Sequence, residues 1–361
     1  MPLVQSYDEI IEQIDTIDPV AYARTRNHLD GAVTKLSPYI SRGVITLPQV
    51  RERLYVRHDP ADCEKLVQEL AWREYFQNVW WAKGEAIFSD LRFSRDDWAH
   101  EELPTALINA STGIAVMDTG IQGLYDTGYL HNHLRMALAA IACNCARAHW
   151  LPTGKWMYYH LADGDLASNF LSWQWVAGTS VNKRYSTNQE LLNGISDTTQ
   201  AGTWFDVSRD AFLTMTTPSH LGAYEPFSLT TPYPETQEPP SVAGQDVYCY
   251  TPWTLDPMWR RAQSARRLLL IDPAWFDRFP VSELVMDFIV RQGQTVMPEL
   301  EIFIGDIFAV PGIDGAAHIY AKPHPTNQHW PATFDGRELL FPEVRGYYQS
   351  FFKYWQAVTT R

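Results

Sequence analysis

Apolar residues change their spacing once along this 361-residue chain, and that change limits the folds open to it. Up to about residue 200 they recur at helical intervals. In 62-DCEKLVQELAWREYFQNVWWAK-83, residues Leu66, Leu70, Trp72, Tyr75, Phe76, Val79 and Trp80 follow a period near 3.6 behind an aspartate able to cap the helix. The run 131-HNHLRMALAAIACNCARAHW-150 predicts a second long helix, ended by Pro152 and Gly154. Shorter helices fit 46–55, 114–125, 154–162 and 165–177, and no strand is expected before residue 200. Residues 215–245 are rich in Thr, Ser and Pro and read as an extended connector crossing the surface. Beyond them, 247-VYCY-250, 267-RLLLID-272, 301-EIFIGD-306 and 318-HIYAK-322 read as buried strands, with a helix over 281–292 opened by Ser282. Strands alternating with helix predict a small parallel α/β unit. The expected fold is therefore mainly α: a helical domain over 1–205, a Pro/Ser/Thr-rich connector over 206–246, and a smaller α/β-like region over 247–361.

Composition narrows the functions. Apolar residues make up 45% of the chain, enough for a sizeable core, and the net charge of −13 argues against binding nucleic acid over the whole surface. A local basic groove stays open. Cys63, Cys143, Cys145 and Cys249 show no CxxC or Cys/His spacing, so no metal is expected, and reduced thiols suit a cytoplasmic protein. The N-terminus lacks the apolar stretch of a signal peptide, and 136-MALAAIACNCA-146 is too short to span a bilayer, so no membrane partner is expected. No G-x-G-x-x-G or P-loop is present. Fourteen tryptophans are many for this length; they read either as core bulk or as stacking and electron-transfer surfaces.

The stretch 161-LADGDLASNFLSWQW-175 is too polar for a plain core helix. Asp165 is a natural N-cap, Asp163 faces something basic or N–H rich, and Asn169 follows Asp165 by one turn. A flat heterocycle with N–H and C=O edges would satisfy all three; a capping pair plus a satisfied asparagine is the plainer reading. Three further segments bear on the choice. Tyr22 and Arg26 lie one turn apart, ahead of the hydroxyl and cation cluster Thr34, Lys35 and Ser37, which suits a pyrophosphate. Glu69 and Arg73 share a helix face flanked by Trp72, and could equally form a surface ion pair. Asn132, Arg135 and Met136 share another face.

Taken in order, Y-x-x-x-R, TKLSPY-I-x-x-G, ELAWREYF, TG-I-x-x-x-D, TGYLHNHLRM and DGDLASNFLSWQW resemble the FAD-binding helical domain of DNA photolyases and cryptochromes, over residues 20–206. The resemblance implies non-covalent FAD, its phosphates and ribose held by Tyr22, Arg26, Thr34, Lys35, Leu36 and Ser37, with Arg73 facing the cofactor. It implies an Arg135–Asp163 ion pair beside the isoalloxazine, Asp165 on the ring's N3–H edge and Asn169 opposite N5, where a neutral amide favours reduced flavin. Glu69, Trp72, Asn132, Met136 and Trp175 match the pocket for a flipped-out cyclobutane pyrimidine dimer, the tryptophans stacking and Glu69 and Asn132 hydrogen-bonding. Trp173, Trp150 and a surface Trp98 match the chain that photoreduces the flavin; core packing is the other reading of Trp98.

The chain departs from the family pattern in several places. The antenna domain that usually precedes the FAD domain is not found there, so an antenna chromophore is not expected, and the C-terminal α/β region reads as an unrelated cap or a relocated remnant. Phe170 and Leu171 stand where the family has small residues. His133, Gln122 and Val33 replace an arginine, a second arginine and a threonine. The resemblance implies light-driven repair of pyrimidine dimers by electron transfer, a carbon–carbon lyase activity. Lost phosphate contacts and acidic charge predict weak, salt-sensitive DNA binding, in which a single strand or a loop would need less distortion than a duplex. The alternative is a cryptochrome-like blue-light photosensor that signals to a protein partner.

Overall fold

The computed structural model describes residues 4–236 and 239–360. Its first part is helical: α1 (Tyr7–Asp15), α2 (Pro19–Thr25), α3 (Ser37–Ser41), α4 (Leu47–Arg57), α5 (Pro60–Lys83), α6 (Thr105–Ile108), α7 (Ala115–Thr127), α8 (Asn132–Ala140), α9 (Trp150–His160), α10 (Leu166–Ala177), α11 (Gln189–Ser196) and α12 (Arg209–Thr214). Local chemistry sets the helix starts. Ser6 with Glu9 and Thr46 with Gln49 form capping boxes, and Asp18 and Asp59 each cap a helix that opens on proline. Helix α5 buries Leu66, Val67, Leu70, Ala71, Tyr75, Val79 and Trp80, as its apolar period requires.

The helix expected over 131–150 is two helices. A π-helical turn at Ile141–Cys145 follows α8, and Arg147 then takes a left-handed φ of 59°. The break lets His149 N bond His100 O and lets the His149 side chain cap α9. Pro152 and Gly154 therefore lie inside α9 rather than ending a helix. A proline in the first turn costs no hydrogen bond, because the first amides of a helix have no partner within it.

The second part carries β3 (Asp246–Tyr250), β4 (Arg266–Ile271), β5 (Glu301–Ile304), β6 (His318–Ala321) and β7 (Thr333–Phe334), with α13 (Pro273–Arg278), α14 (Glu283–Val296) and α15 (Phe351–Thr359). The strands form one parallel sheet in the order β5-β4-β3-β6-β7. This is the expected parallel unit, extended by the short β7, and Ser282 caps α14 as expected. Both faces are buried. Tyr248, Tyr250, Leu269 and Ile271 join the main core, whereas Val247, Cys249, Leu268 and Leu270 join a smaller one on the opposite face. Ahead of residue 200, the two-residue strand Leu103–Pro104 (β1) does form, paired with Tyr224–Glu225 (β2) of the connector. Two residues carry no readable periodicity, and the pairing exists only because the connector docks there.

The parts share buried contacts. Phe279, at the end of α13, packs on Phe88 and Phe170, and Ser282 N donates to Tyr159 O. Glu74 on α5 is 3% exposed and accepts from Tyr354 Oη at 2.5 Å, from Phe341 N at 3.2 Å and from Leu340 N. A carboxylate so buried is tolerable because the C-terminal segment supplies its donors. Glu74→Ala is expected to lower stability by about 3 kcal/mol, since it leaves those donors buried without an acceptor. Urea unfolding checks this; an unchanged midpoint would show that α15 is not anchored through Glu74.

Candidate functional site

The turn between α9 and α10, residues 162–165, is held from three sides. The Arg42 side chain is fully buried and donates from Nε at 3.2 Å and from Nη2 at 2.9 Å to Ala162 O. Ser41 Oγ donates to Asp163 O at 2.7 Å, and Ala162 N donates to Gly128 O. The two aspartate side chains are thereby aimed by backbone contacts rather than by each other.

Asp163 Oδ2 accepts from Arg135 Nη2 at 2.9 Å, while Asp163 Oδ1 is buried with no partner. Arg135 is steadied by its Nε–H, which donates to Leu130 O at 2.7 Å. Asp165 caps α10 through Ser168 N at 2.7 Å, and its other oxygen accepts from Gln77 Nε2 at 2.6 Å with Arg73 Nη2 at 3.3 Å. One turn on, Asn169 Nδ2 donates to Gly154 O at 3.0 Å. His133 Nδ1, on the ring stacked against His131, is likewise buried without a partner. Asp163 thus keeps one buried carboxylate oxygen open to a further donor.

The other residues singled out above gather unevenly. Glu69 pairs with Arg26 at 3.4 Å and Lys65 at 3.3 Å, not with Arg73, which turns to Asp165. Tyr22 is buried beside Glu69, and burial followed by that charge pushes its hydroxyl up. The His131 ring is stacked on His133 with its Nε2 at 3.2 Å from Arg26 O; burial and the neighbouring His133 push it down to about 4, so it is neutral at pH 7. Asn132 Nδ2 lies 3.8 Å from Met136 Sδ. Lys35 holds a left-handed φ of 54° between Thr34 and Leu36, an uncommon strain for a lysine, and Ser37 opens α3.

The aromatic residues divide. Trp72 stacks on Phe351 of α15 at 3.7 Å between ring centroids and 11° between planes. Trp175 is 38% exposed and leans on Tyr185. Among the described residues no ring contact joins Trp72 to Trp175. Trp173 and Trp150 are buried on facing helices; a Cβ on Gly154, one turn after Trp150, would meet Trp173 Cγ at 3.3 Å. Trp98 is half-buried rather than at the surface, with the Arg95 guanidinium 3.9 Å above its ring. Phe170 is fully buried among Phe88, Trp150, Tyr158 and Phe279, so its bulk fills the joint with the second part of the chain.

A cavity of about 170 Å³ beside Asp165 and Arg73 is lined also by Trp253, Lys322, His324 and Arg337. These four follow the carboxyl ends of β3, β6 and β7, where the sheet order reverses between β3 and β6. Crevices at such reversals are where open α/β sheets bind ligands. The sequence reading missed them. The signal available was their position directly after predicted strands, but the strand order that gives it meaning is not visible in sequence. Burial pushes His324 down to about 3, so it enters the cavity wall uncharged.

Burial alone would push Asp165 up, yet Arg73 and the hydrogen bonds from Ser168 outweigh it and hold the carboxyl below its ordinary range. A depressed carboxyl contributes stability above its unfolded value, near 3.9, and loses that contribution as pH falls through the folded value. Between about pH 5 and pH 2, Asp165→Asn is therefore expected to lose stability less steeply than the parent. Thermal melts across that range check this, and parallel slopes would count against it.

A family described as the FAD binding domain of DNA photolyase matches residues 66–207. The deoxyribodipyrimidine photo-lyase of Streptomyces griseus is 30% identical over 154 residues, 42% of this chain and 34% of that protein. The deoxyribodipyrimidine photo-lyase of Thermus thermophilus is 32% identical over 167 residues, 44% of this chain and 39% of that protein. The chain thus spans little more than a third of the length of these curated relatives. Among solved structures, a Synechocystis cryptochrome aligns with a TM-score of 0.50 at 21% identity, over 54% of this chain and 44% of that one, a likeness of fold.

Proposed function

We infer from the match over residues 66–207 that the chain belongs to the photolyase/cryptochrome superfamily, and on that premise propose a light-driven flavoprotein that repairs cyclobutane pyrimidine dimers in DNA, single strands included. The observation that carries the reading is the Arg135–Asp163 pair, whose Asp163 Oδ1 is buried with no partner. Orphaned buried polar atoms are costly, and a flavin's ring N–H and ribityl hydroxyls are the donors and acceptors that would satisfy them. The residues present therefore fit FAD.

Bound and reduced, FAD supplies the photoexcited electron that opens the cyclobutane ring and then returns. Asp163, paired with Arg135, would lie beside the ring, Asp165 would take its N3–H edge, and the neutral amide of Asn169 would lie toward N5. Tyr22, Arg26 and residues 34–37 would hold the phosphates and ribose, with Arg73, paired with Asp165, beside the cofactor. Glu69 and Asn132 orient the bases of the dimer. Trp72 and Trp175 stack on it, and Met136 closes the pocket against water. Trp173 and Trp150 resupply electrons.

Purified protein is expected to carry a flavin absorption spectrum, and Asp163→Ala is expected to lose most of it while keeping its helical circular dichroism. Dimer-bearing oligonucleotide should be restored only in the light. Fully reduced, illuminated protein that leaves dimers intact would overturn repair.

One observation favours the second reading, a blue-light photosensor. Phe351 already covers a face of Trp72, as a base would. Protease sensitivity of residues 206–361 that changes with light, without repair, would decide for it.

A further inference from the structure

The rings near Trp150 differ in charge in a way the tryptophan chain alone does not require. Trp150 is fully buried, and its Nε1–H donates to Asp90 Oδ1 at 2.8 Å. The ring of His149, held by its bond from Leu151 N, lies between two tryptophans, 5.8 Å from Trp150 and 5.1 Å from Trp98 between centroids. The Arg95 guanidinium sits 3.9 Å over Trp98. It cannot easily swing away: Arg95 donates twice to Asp97, at 2.7 and 2.9 Å, and to Asn144 Oδ1 at 2.8 Å. The Trp98 Nε1–H is buried with no acceptor.

An indole that has lost an electron is a cation. A cation on Trp98 would face the guanidinium side of the Arg95–Asp97 pair and gain no anion of its own, whereas one on Trp150 would face a carboxylate. The attraction that normally holds a guanidinium over a neutral indole becomes repulsion once the indole is oxidised. The N–H proton also becomes acidic on oxidation. Trp150 has a base on that hydrogen, and Trp98 has none.

We propose that Asp90 holds the electron vacancy on Trp150, as its anionic partner and proton acceptor, so that Trp150 rather than Trp98 is where the vacancy rests. This rests on the reading of Trp173 and Trp150 as the electron supply. One electron leaves Trp150 to refill Trp173, which has given one to the photoexcited flavin. The Nε1 proton moves to Asp90 Oδ1, leaving a neutral indole radical and a neutral carboxyl. Return of the electron, with Asp90 giving back the proton, closes the cycle with no other reactant. Asp90 acts by positioning charge and a proton at one atom.

Transient absorption of the FAD-loaded protein tests this, because cation and neutral indole radicals absorb differently. The parent is expected to form the neutral radical. Asp90→Asn, which keeps the size and the hydrogen-bond acceptor, is expected to show the cation and to recombine about tenfold faster. Trp98→Phe is expected to retain the parent radical. In flavin-free protein oxidised by a photosensitiser, electron paramagnetic resonance should find the neutral radical in the parent and not in Asp90→Asn, a readout that fold stability alone would not move. Equal lifetimes and the same radical in parent and Asp90→Asn, or loss of the radical in Trp98→Phe, would overturn the proposal. Trp150→Phe separates the premise: if it keeps the long-lived radical, the tryptophan chain itself is wrong, whatever Asp90 does.

Discussion

One buried side chain, Arg42, ties the site to the rest of the molecule. Its guanidinium grips the carbonyl of Ala162 and so sets the turn that aims Asp163 and Asp165. Its own carbonyl accepts from Leu255 N, just beyond β3 of the parallel sheet. Burial pulls its guanidinium below the ordinary arginine range, with Tyr158 and Asp163 offsetting part of that cost. Replacing it would leave a carbonyl and two aspartates without their reference point. The helical part and the sheet thus meet at the residue that fixes the turn carrying Asp163 and Asp165.

The same economy of contacts recurs on α5. Trp72, Glu69, Arg73 and Gln77 lie along one broad side of this helix, where Arg26 meets Glu69 and Asp165 meets Arg73 and Gln77, while Glu74 on another side is buried against the C-terminal segment. A helix can serve three neighbours because residues three and four apart share a face and others do not. Helix α15 reaches α5 twice, with Phe351 stacked on Trp72 and Tyr354 donating to Glu74.

Much of the fold was legible. The capped helices, the strand runs and the Ser282 start of α14 follow from period and cap chemistry. Where the reading failed, the causes are tertiary. The run 131–150 has helical composition throughout, but a backbone bond from His149 to His100 and the left-handed Arg147 interrupt it. Glu69 and Arg73 are spaced for each other, yet each finds a partner on another helix. Spacing specifies which residues can meet within one helix and says nothing of stronger partners outside it.

At the site the division is similar. Asp165 as a cap and Asn169 one turn later are consequences of residue type and local spacing, so the sequence by itself determined them, whereas the pairing of Arg135 with Asp163, 28 residues along, was implied by the family resemblance and is made by the fold. The carboxylate beneath Trp150, the guanidinium above Trp98, the ring on Trp72 and the cavity walls after β3 and β6 join residues far apart in the chain. Only the tertiary structure decided those, because an electric field or a stacked face depends on distance in space, and sequence order does not encode it.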